Sequence, residues 1–384
     1  MKRVLAALFL LCAVTMSADA AAQTQMNVYF AANAMDEETA GALMELTRQA
    51  FPQAQWRAIG PTGERDLRAL ILGDDMPDLI VCAPSEASLW VNDGLFIALD
   101  GCLTDAPRIS EPVLDACVQD ETLFMLPLTA KHRQMAVNRR LLEKRRMGYM
   151  ANTIEHPIWY PMEFDQLLEE FALADHPALE IWPAEPETCG ALEALLQALY
   201  GGAWLTEGGE TGQADHINVQ AALEWLRDRV RGGLIARVGS REEALTHFLN
   251  GETALFMDWR TGDERRCARE LEKNGVELLT MPYPSSTGFV IRSFELTGVC
   301  VAAGANSALA MRAAALWHED AQAQRALGER GIWKDDAVWL PEIDATQKGL
   351  TLRRLMCEAI ESVLSGESAP KDALRLVQTT LDAM

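Results

Sequence analysis

The sequence predicts an α/β protein with two lobes. At 384 residues the chain is long enough for two domains of ordinary size, each with a core of its own. From about residue 26 to residue 83, apolar strand-like segments alternate with helical ones in a βαβαβ order, the basis of a doubly wound parallel sheet. A second α/β unit follows between about residues 130 and 285.

The first unit starts with a strand and a capped helix. Strands are predicted at residues 26–31, 56–59 and 77–83, and helices at residues 37–51 and 65–72. Asp36 follows the first strand and Glu86 follows the third, so their loops should face one another across the edge of the sheet where α/β proteins bind ligands. Asp36 is also a good helix N-cap, and capping alone would explain its presence.

The second unit contains several helices and the two places where the chain passes between lobes. Its helices are predicted from residue 161 and at residues 191–200 and 219–231. We expect the first crossing near residues 128–132 and a return near Phe289. The strand at residues 296–303 and the helix at residues 307–316 would then rejoin the first lobe.

Residues 248–259, which read FLNGETALFMDW, are the most informative stretch of the second unit. A helix is predicted to stop at Asn250-Gly251, a common place for a left-handed C-cap. The apolar run at residues 254–257 is typical of a strand covered on both faces. The strand is followed by Asp258, Trp259 and Arg260. Polar and aromatic groups therefore lie at the carboxyl end of a strand, where a ligand is expected.

This stretch resembles the F-x-x-G-x-A-A-M … W segment of family 1 extracellular solute-binding proteins, the receptors of ABC importers for sugars and related solutes. Other segments are similar to the family's early P-D-L/V strand, its P … Y-N-K crossover and its G-x-A-V … A-W-x-F return, in the same order. Met76-Pro77-Asp78-Leu79-Ile80 corresponds to the early strand. Leu126-Pro127 and residues 134–138 correspond to the crossover, and residues 297–303 with the Ala-rich helix after them correspond to the return. One departure is that the aromatic-Asn-Lys of the crossover is Val137-Asn138-Arg139 here.

The resemblance implies a type II periplasmic binding protein fold, with two Rossmann-like lobes joined by a hinge of several crossovers. The N-terminal lobe would comprise residues 23–128 and about 289–334, and the C-terminal lobe residues 129–288 and about 335–384. A carbohydrate, most simply an oligosaccharide, would bind in the cleft, and the lobes would close by hinge bending. The expected partners are the membrane permease subunits of an ABC importer, and a monomer without cofactor or metal is expected.

The N-terminal residues predict export. Lys2 and Arg3 precede an apolar run too short to cross a bilayer, and small residues suited to cleavage follow, so residues 1–22 read as a signal peptide. The protein is therefore expected in the periplasm or outside the cell. Cys12 lies inside the apolar run without a small residue before it, and a lipid anchor is not expected.

Charge and cysteine content narrow the possible functions. The formal net charge of -22 disfavours binding to nucleic acid, anionic lipid or polyanionic ligands, although solubility alone would explain it.

Cys102 and Cys117 bracket a loop with Pro and Asp, and we expect a disulfide between them. Cys82 and Cys300 lie in apolar strands and read as buried thiols. No C-x-x-C spacing indicates a zinc or redox site.

The candidate binding residues are aromatic and polar. Ten tryptophans against five tyrosines suit a pocket that stacks rings on sugars, although each ring could instead be a core residue. Trp259 is the leading candidate because it matches the family motif, Trp204 follows a Gly-Gly helix stop, and Trp333 lies where the family often presents a late aromatic. The polar candidates are Asp36, Glu86, Lys131 at the expected crossing, and Asp258 and Arg260, which flank Trp259 and should point away from its ring if the strand continues.

Two functions other than a transport receptor are an enzyme acting on carbohydrates and a sensor or adhesion module. The sequence has no G-x-S-x-G elbow, H-E-x-x-H pair, P-loop or G-x-G-x-x-G turn, and a carboxylate pair for a carbohydrate hydrolase or lyase carries little information in so acidic a chain. The same fold could also serve as a sensor or adhesion module that is not coupled to transport. Dependence of uptake on a transporter would identify the receptor, and turnover of a glycoside would identify an enzyme.

Overall fold

The computed structural model describes residues 24–31, 34–59, 70–71, 76–91, 93–103, 108–144, 146, 148, 159–172, 177–184, 190–201, 204, 213–260, 262–288, 291–328, 332, 338–341 and 347–383. Its strands and helices confirm the predicted α/β class. The predicted signal peptide lies outside these residues, as does most of the helix predicted at residues 65–72. Among the residues described, no helix is both long enough and apolar enough to cross a membrane.

The strands are β1 (Thr24–Phe30), β2 (Ala54–Ile59), β3 (Leu79–Cys82), β4 (Val118–Gln119), β5 (Thr122–Leu123), β6 (Leu126–Asn138), β7 (Leu179–Ile181), β8 (Ile235–Arg237), β9 (Leu255–Arg260), β10 (Leu278–Met281), β11 (Ile291–Val301) and β12 (Val338–Pro341). The helices are α1 (Glu37–Ala50), α2 (Pro84–Val91), α3 (Glu111–Asp115), α4 (Arg139–Lys144), α5 (Pro161–Ala172), α6 (Gly190–Tyr200), α7 (Ile217–Arg231), α8 (Arg241–Leu249), α9 (Asp263–Asn274), α10 (Ser307–Glu319), α11 (Ala321–Leu327), α12 (Gln347–Ser365) and α13 (Pro370–Asp382).

One mixed sheet contains most of the strands. Its order is β2-β1-β3-β11-β6-β9-β7-β8, with β10 on β6 and β12 on β11, whereas β4 and β5 form a separate hairpin. Pairing is parallel towards both ends, between β1 and its neighbours β2 and β3 and between β7 and its neighbours β8 and β9. In the middle, β11 is antiparallel to β3 and β6, and β6 is antiparallel to β9.

Strand β6 belongs to two hydrophobic cores. Its first part pairs with β11 and contributes Leu126, Leu128 and Ala130 to a core that also contains β1, β3 and α10. Its last part pairs with β9 and β10 and contributes Met135 and Val137 to a core built with α5 to α8 and with α12 and α13. The chain thus passes from one core to the other at residues 131–134, close to the crossing expected from the sequence.

The helix stop in the informative stretch is confirmed. Helix α8 starts at a cap formed by Ser240, whose hydroxyl accepts a hydrogen bond from the Glu243 amide at 3.2 Å. It ends at Asn250, and Gly251 follows with a φ of 74°. A glycine adopts this left-handed conformation without the steric cost of a Cβ, which is why the chain can turn sharply here.

The end of strand β9 differs from the prediction. Asp258, Trp259 and Arg260 lie within the strand and not beyond it, because antiparallel pairing with β6 continues to the pair Arg260 and Arg133. The strand is therefore longer than its apolar run. Alternation along it puts Trp259 on one face and its two charged neighbours on the other.

The predicted disulfide between Cys102 and Cys117 is wrong in this structure. The six described cysteines are free, including these two. Burial and the nearby thiol of Cys300 raise the pKa of Cys117, whereas partial burial and the charge of Glu319 raise the pKa of Cys102, so the two thiols have different neighbours. Cys82 and Cys300 are fully buried, as expected of thiols in apolar strands.

Register irregularities occur on both sides of the crossing. One lies between Gln134 and Ala136 in the pairing of β6 with β9, and the other lies between Thr297 and Gly298 in the pairing of β11 with β6. Gly298 is needed because of close approach, since a Cβ at this position would collide with the Met125 side chain and lie 2.8 Å from the Leu126 carbonyl oxygen. Backbone oxygens cannot move aside as a flexible side chain can.

We predict that Gly298→Ala lowers the free energy of unfolding by about 1–3 kcal/mol, the usual cost of overpacking a dense core. Urea unfolding followed by circular dichroism measures this change. Gly304→Ala is the matched control, because nothing lies within 4 Å of a Cβ at that position. Equal stability of the two variants would show that the sheet yields locally around the added methyl group.

Candidate functional site

Polar residues occupy one face of the sheet where the chain passes between the cores, some of them buried and the others half-buried. On the other face, Leu128 and Ala130 of β6 and Phe294 and Leu296 of β11 are buried. Successive residues of a strand point to opposite faces, and directly paired residues share a face. Register pairs Lys131 with Glu295, Thr129 with Thr297 and Arg133 with Arg260. We call this surface the crossing face, formed by Thr129, Lys131, Arg133, Asp258, Arg260, Glu295 and Thr297.

The buried end of the crossing face is organised around Asp258, which is 0% exposed. Its carboxylate oxygens lie 3.4 Å from Arg133 Nε, 2.6 Å from Arg241 Nε and 2.8 Å from a terminal nitrogen of Arg260. Burial alone would raise the pKa of Asp258, but the charges of the three arginines lower it below its usual value. Asp258 therefore remains a carboxylate although it is isolated from water.

Two more acids complete this cluster. Asp263 Oδ2 accepts a hydrogen bond from Arg241 at 2.9 Å and another from the Arg260 amide at 3.0 Å. Glu295 Oε2 lies 3.5 Å from Arg133 and 3.2 Å from Arg260. Three cations thus face three carboxylates. We call this set the arginine network, formed by Arg133, Arg241, Arg260, Asp258, Asp263 and Glu295.

The open end of the crossing face brings together two residues selected from the sequence. The loop after β1 is fixed to this face by Thr297, whose hydroxyl donates to the Ala34 carbonyl at 3.1 Å. Asp36 follows in the same loop, is exposed, and caps α1 through a hydrogen bond from the Thr39 amide at 2.8 Å. Partial burial would raise the pKa of Asp36, but the Thr39 hydrogen bonds and the charge of Lys131 lower it. Asp36 and Lys131 are therefore within electrostatic range of each other.

Glu86 lies at the start of α2, just beyond β3, which is parallel to β1 and adjacent to it. Its carboxylate accepts a hydrogen bond from the Ala83 amide at 3.3 Å. Glu86 is exposed, and partial desolvation by neighbouring protein atoms raises its pKa despite the hydrogen bond. Glu86 and Asp36 thus follow neighbouring strands at one edge of the sheet, where the sequence placed them.

Two of the three tryptophan candidates are buried in this structure. Trp259 is 2% exposed, and its ring centroid lies 6.1 Å from that of Phe248 and 6.5 Å from that of Phe256. We therefore assign Trp259 to the core rather than to a ligand cleft. Trp204 is also buried, at 3% exposure, and Trp333 lies outside the described residues.

The two neighbours of Trp259 differ in access to solvent. Asp258 is closed off inside the arginine network, so the expectation that it contacts a ligand is replaced by a structural role. The Arg260 side chain keeps 22% exposure while it binds Asp258 and Glu295. Arg260 therefore lies where the network meets the open part of the crossing face.

Several residues of this surface were missed from the sequence. Thr129 and Arg133 lie on the same face of β6 as Lys131, which was selected from the sequence, and the alternation of Leu128 and Ala130 with Thr129 and Lys131 was a readable signal for a half-polar strand. Glu295 and Thr297 show the same alternation on β11. Arg241 gave no such signal, because its partner Asp258 is 17 residues away and the two meet only through packing of α8 on β9.

Comparison with known proteins identifies the fold. No protein-family model matches the sequence, and no curated protein matches it. Among solved structures, the GacH receptor of Streptomyces glaucescens, determined with and without acarbose, superposes with a TM-score of 0.73 at 19% identity, covering 93% of this chain and 97% of GacH. The sugar-binding protein MalE of Xanthomonas citri superposes with a TM-score of 0.75 at 13% identity, covering 94% of this chain and 97% of MalE.

The same fold is found in a third structure, described as an oligosaccharide periplasmic-binding protein of Synechococcus sp. MITs9220. Its TM-score is 0.75 at 15% identity, with 93% of this chain and 98% of that one covered. The class defined by these similarities is the periplasmic binding protein fold. Within it, the chain has the MalE-type arrangement, as the sequence predicted.

We predict that Asp258→Asn lowers the free energy of unfolding by about 3–5 kcal/mol, because it leaves buried guanidinium groups without their counter-charge. Chemical denaturation measures the loss. The control is Asp228→Asn, which removes a surface ion pair with Arg227 and should cost less than about 1 kcal/mol. A similar small loss for both variants would show that water or side-chain movement compensates for Asp258.

The same group sets an expected pH dependence. The folded-state pKa of Asp258 is below the unfolded value, so its contribution to stability is fully present above the unfolded pKa and is lost as pH falls through the folded pKa. We predict that the stability difference between the native protein and Asp258→Asn is constant from pH 5 to pH 7 and shrinks only below about pH 4. Denaturation curves at each pH test this. A difference that disappears at pH 5 would mean that Asp258 is protonated in the folded state.

Proposed function

We propose that this protein is an exported solute-binding receptor of an ABC importer, and that it binds a carbohydrate on the crossing face. The observation that carries the proposal is the position of this face. It is polar and partly open, and it lies where the sheet passes from one hydrophobic core to the other. Ligand sites of two-domain proteins are concentrated at such junctions.

The structural neighbours support a carbohydrate as the ligand. The Listeria monocytogenes protein Lmo0181 is described in complex with cycloalternan, and the Arthrobacter globiformis neighbour as a cyclic α-maltosyl-1,6-maltose binding protein. Each covers 94% of this chain. These neighbours are binding proteins, which agrees with a receptor rather than a hydrolase or lyase.

We propose that the two cores are the two lobes, with the N-terminal lobe formed by residues 23–128 and about 289–334 and the C-terminal lobe by residues 129–288 and about 335–384. Ligand would bind between Asp36 and Glu86 on one side and Lys131 and Arg260 on the other. The register irregularities next to the crossing are suitable points for bending, because the strands lose regular pairing there. Closure requires that the ligand bind the closed state better than the open one.

The proposed receptor acts as a monomer and delivers ligand to the permease subunits of the importer. The signal peptide predicted at residues 1–22 supports export to the periplasm or the cell surface, without a lipid anchor at Cys12. No cofactor is required for binding and release. In this role the charge of -22 keeps the receptor soluble and away from anionic lipid surfaces.

The test is a thermal-shift screen of the mature chain, residues 23–384, against monosaccharides, oligosaccharides, polyols, amino acids and short peptides. A ligand at a hundredfold excess over its Kd adds about 2.7 kcal/mol to the free energy of unfolding, so a saturable rise in Tm is expected with a carbohydrate. Small-angle scattering should then show a smaller radius of gyration in the complex. Stabilisation by amino acids or peptides alone would refute the carbohydrate proposal, and steady glycoside turnover would indicate an enzyme.

A further inference from the structure

The described part of the protein offers the ligand few flat aromatic surfaces. The crossing face contains no aromatic residue. The tryptophans at most 8% exposed are Trp56, Trp159, Trp182, Trp204, Trp225, Trp259 and Trp317. Long neutral oligosaccharides depend on aromatic rings that stack on the C–H faces of successive sugars. The seven residues of the crossing face therefore offer a ligand hydrogen bonds and charge rather than ring stacking.

The three arginines of the arginine network already bind carboxylates. Arg133 and Arg260 both bind Asp258 and Glu295, and Arg241 binds Asp258 and Asp263. Phosphate recognition in proteins relies strongly on the fork of an arginine. Because these forks are occupied, the network provides no free guanidinium for a phosphate group.

Lys131 is the cation that the network leaves available. It is half-buried and directly opposite Glu295, but Arg133 and Arg260 hold the Glu295 carboxylate. Within the described residues, Lys131 has no hydrogen bond or salt bridge through its ammonium group. No hydrogen bond or ion pair joins Lys131 to Asp36 within the described residues; the Asp36 carboxylate accepts hydrogen bonds from Thr39, keeps further acceptor capacity, and acts on Lys131 through its charge.

A half-buried lysine without a paired anion is best stabilised by an anion in direct contact with its ammonium group. One such cation matches one negative charge, and the acidity of the whole protein opposes ligands with several charges. Asp36, across from Lys131, is an acceptor for sugar hydroxyl groups. The ligand chemistry that satisfies both residues is a carboxylate attached to a hydroxylated ring.

We propose that the crossing face selects a small acidic sugar of the uronic acid type, with its carboxylate on Lys131 and its hydroxyl groups towards Asp36. This proposal rests on the proposed carbohydrate-binding function and specifies the class of ligand.

The test compares sugars that differ only in the acid group. Isothermal titration calorimetry of the mature chain with glucuronate and glucose, and with galacturonate and galactose, should show at least one acid bound about tenfold more tightly than its neutral partner. Added salt should weaken binding of the acid and leave the neutral sugar unchanged, because screening acts on charge pairs. Tighter binding of glucose 6-phosphate than of glucuronate would overturn the assignment of a carboxylate.

Variants assign the effect to Lys131. Lys131→Gln should remove the preference for the acid, whereas Lys131→Arg should keep most of it because the positive charge remains. Lys273→Gln, at an exposed lysine of α9, is the matched control and should leave both affinities unchanged.

The outcomes separate this proposal from the one on which it depends. Equal affinity for acidic and neutral sugars, or an acid preference that persists in Lys131→Gln, would overturn the role of Lys131 and leave the receptor function standing. Absence of binding by every carbohydrate in the wider screen would overturn both proposals.

Discussion

The buried carboxylate of Asp258 is the constraint on which the centre of this structure depends. A charge without access to water is tolerated only if opposite charges surround it at contact distance. Here the counter-charges come from β6, from α8 and from β9 itself, as Arg133, Arg241 and Arg260. The strand that connects the cores and the helix packed on its neighbour must therefore assemble together around one side chain.

Glu295 extends this constraint to β11. It contacts Arg133 and Arg260, so the strand that returns to the first core is fixed to the two strands at the start of the second. Because the charges of the network pair with one another, it is a base that holds these strands together, and only its partly exposed member Arg260 borders the proposed ligand position. The polar groups next to it, Lys131 and Asp36, gain a fixed position from this base while their own atoms remain accessible.

Local signals in the sequence were sufficient for the fold class and for part of the site. The stop at Asn250-Gly251, the cap at Asp36 and the order of the strands and helices that the structure describes follow from short-range chemistry, and these features are present in the structure. The role of Trp259 could not be read in this way, since it depends on how far β9 remains paired with β6. The arginine network depends likewise on contacts between distant segments, and the neighbours of Cys117 are set by packing rather than by loop length.

The position of β11 between β3 and β6 has a consequence for how the chain is made. The first core needs β11 in the middle of its sheet, although this strand follows β3 by about two hundred residues in the sequence. Until residues 291–301 have been synthesised, β3 and β6 each have an open edge towards the missing strand, and open edges pair readily with wrong partners. The sheet of the first core is therefore completed only when the segment at residues 291–301 joins it. A nascent chain that ends before β11 would lack the strand that links β3 to β6, so the first core matures late although most of its residues are made early.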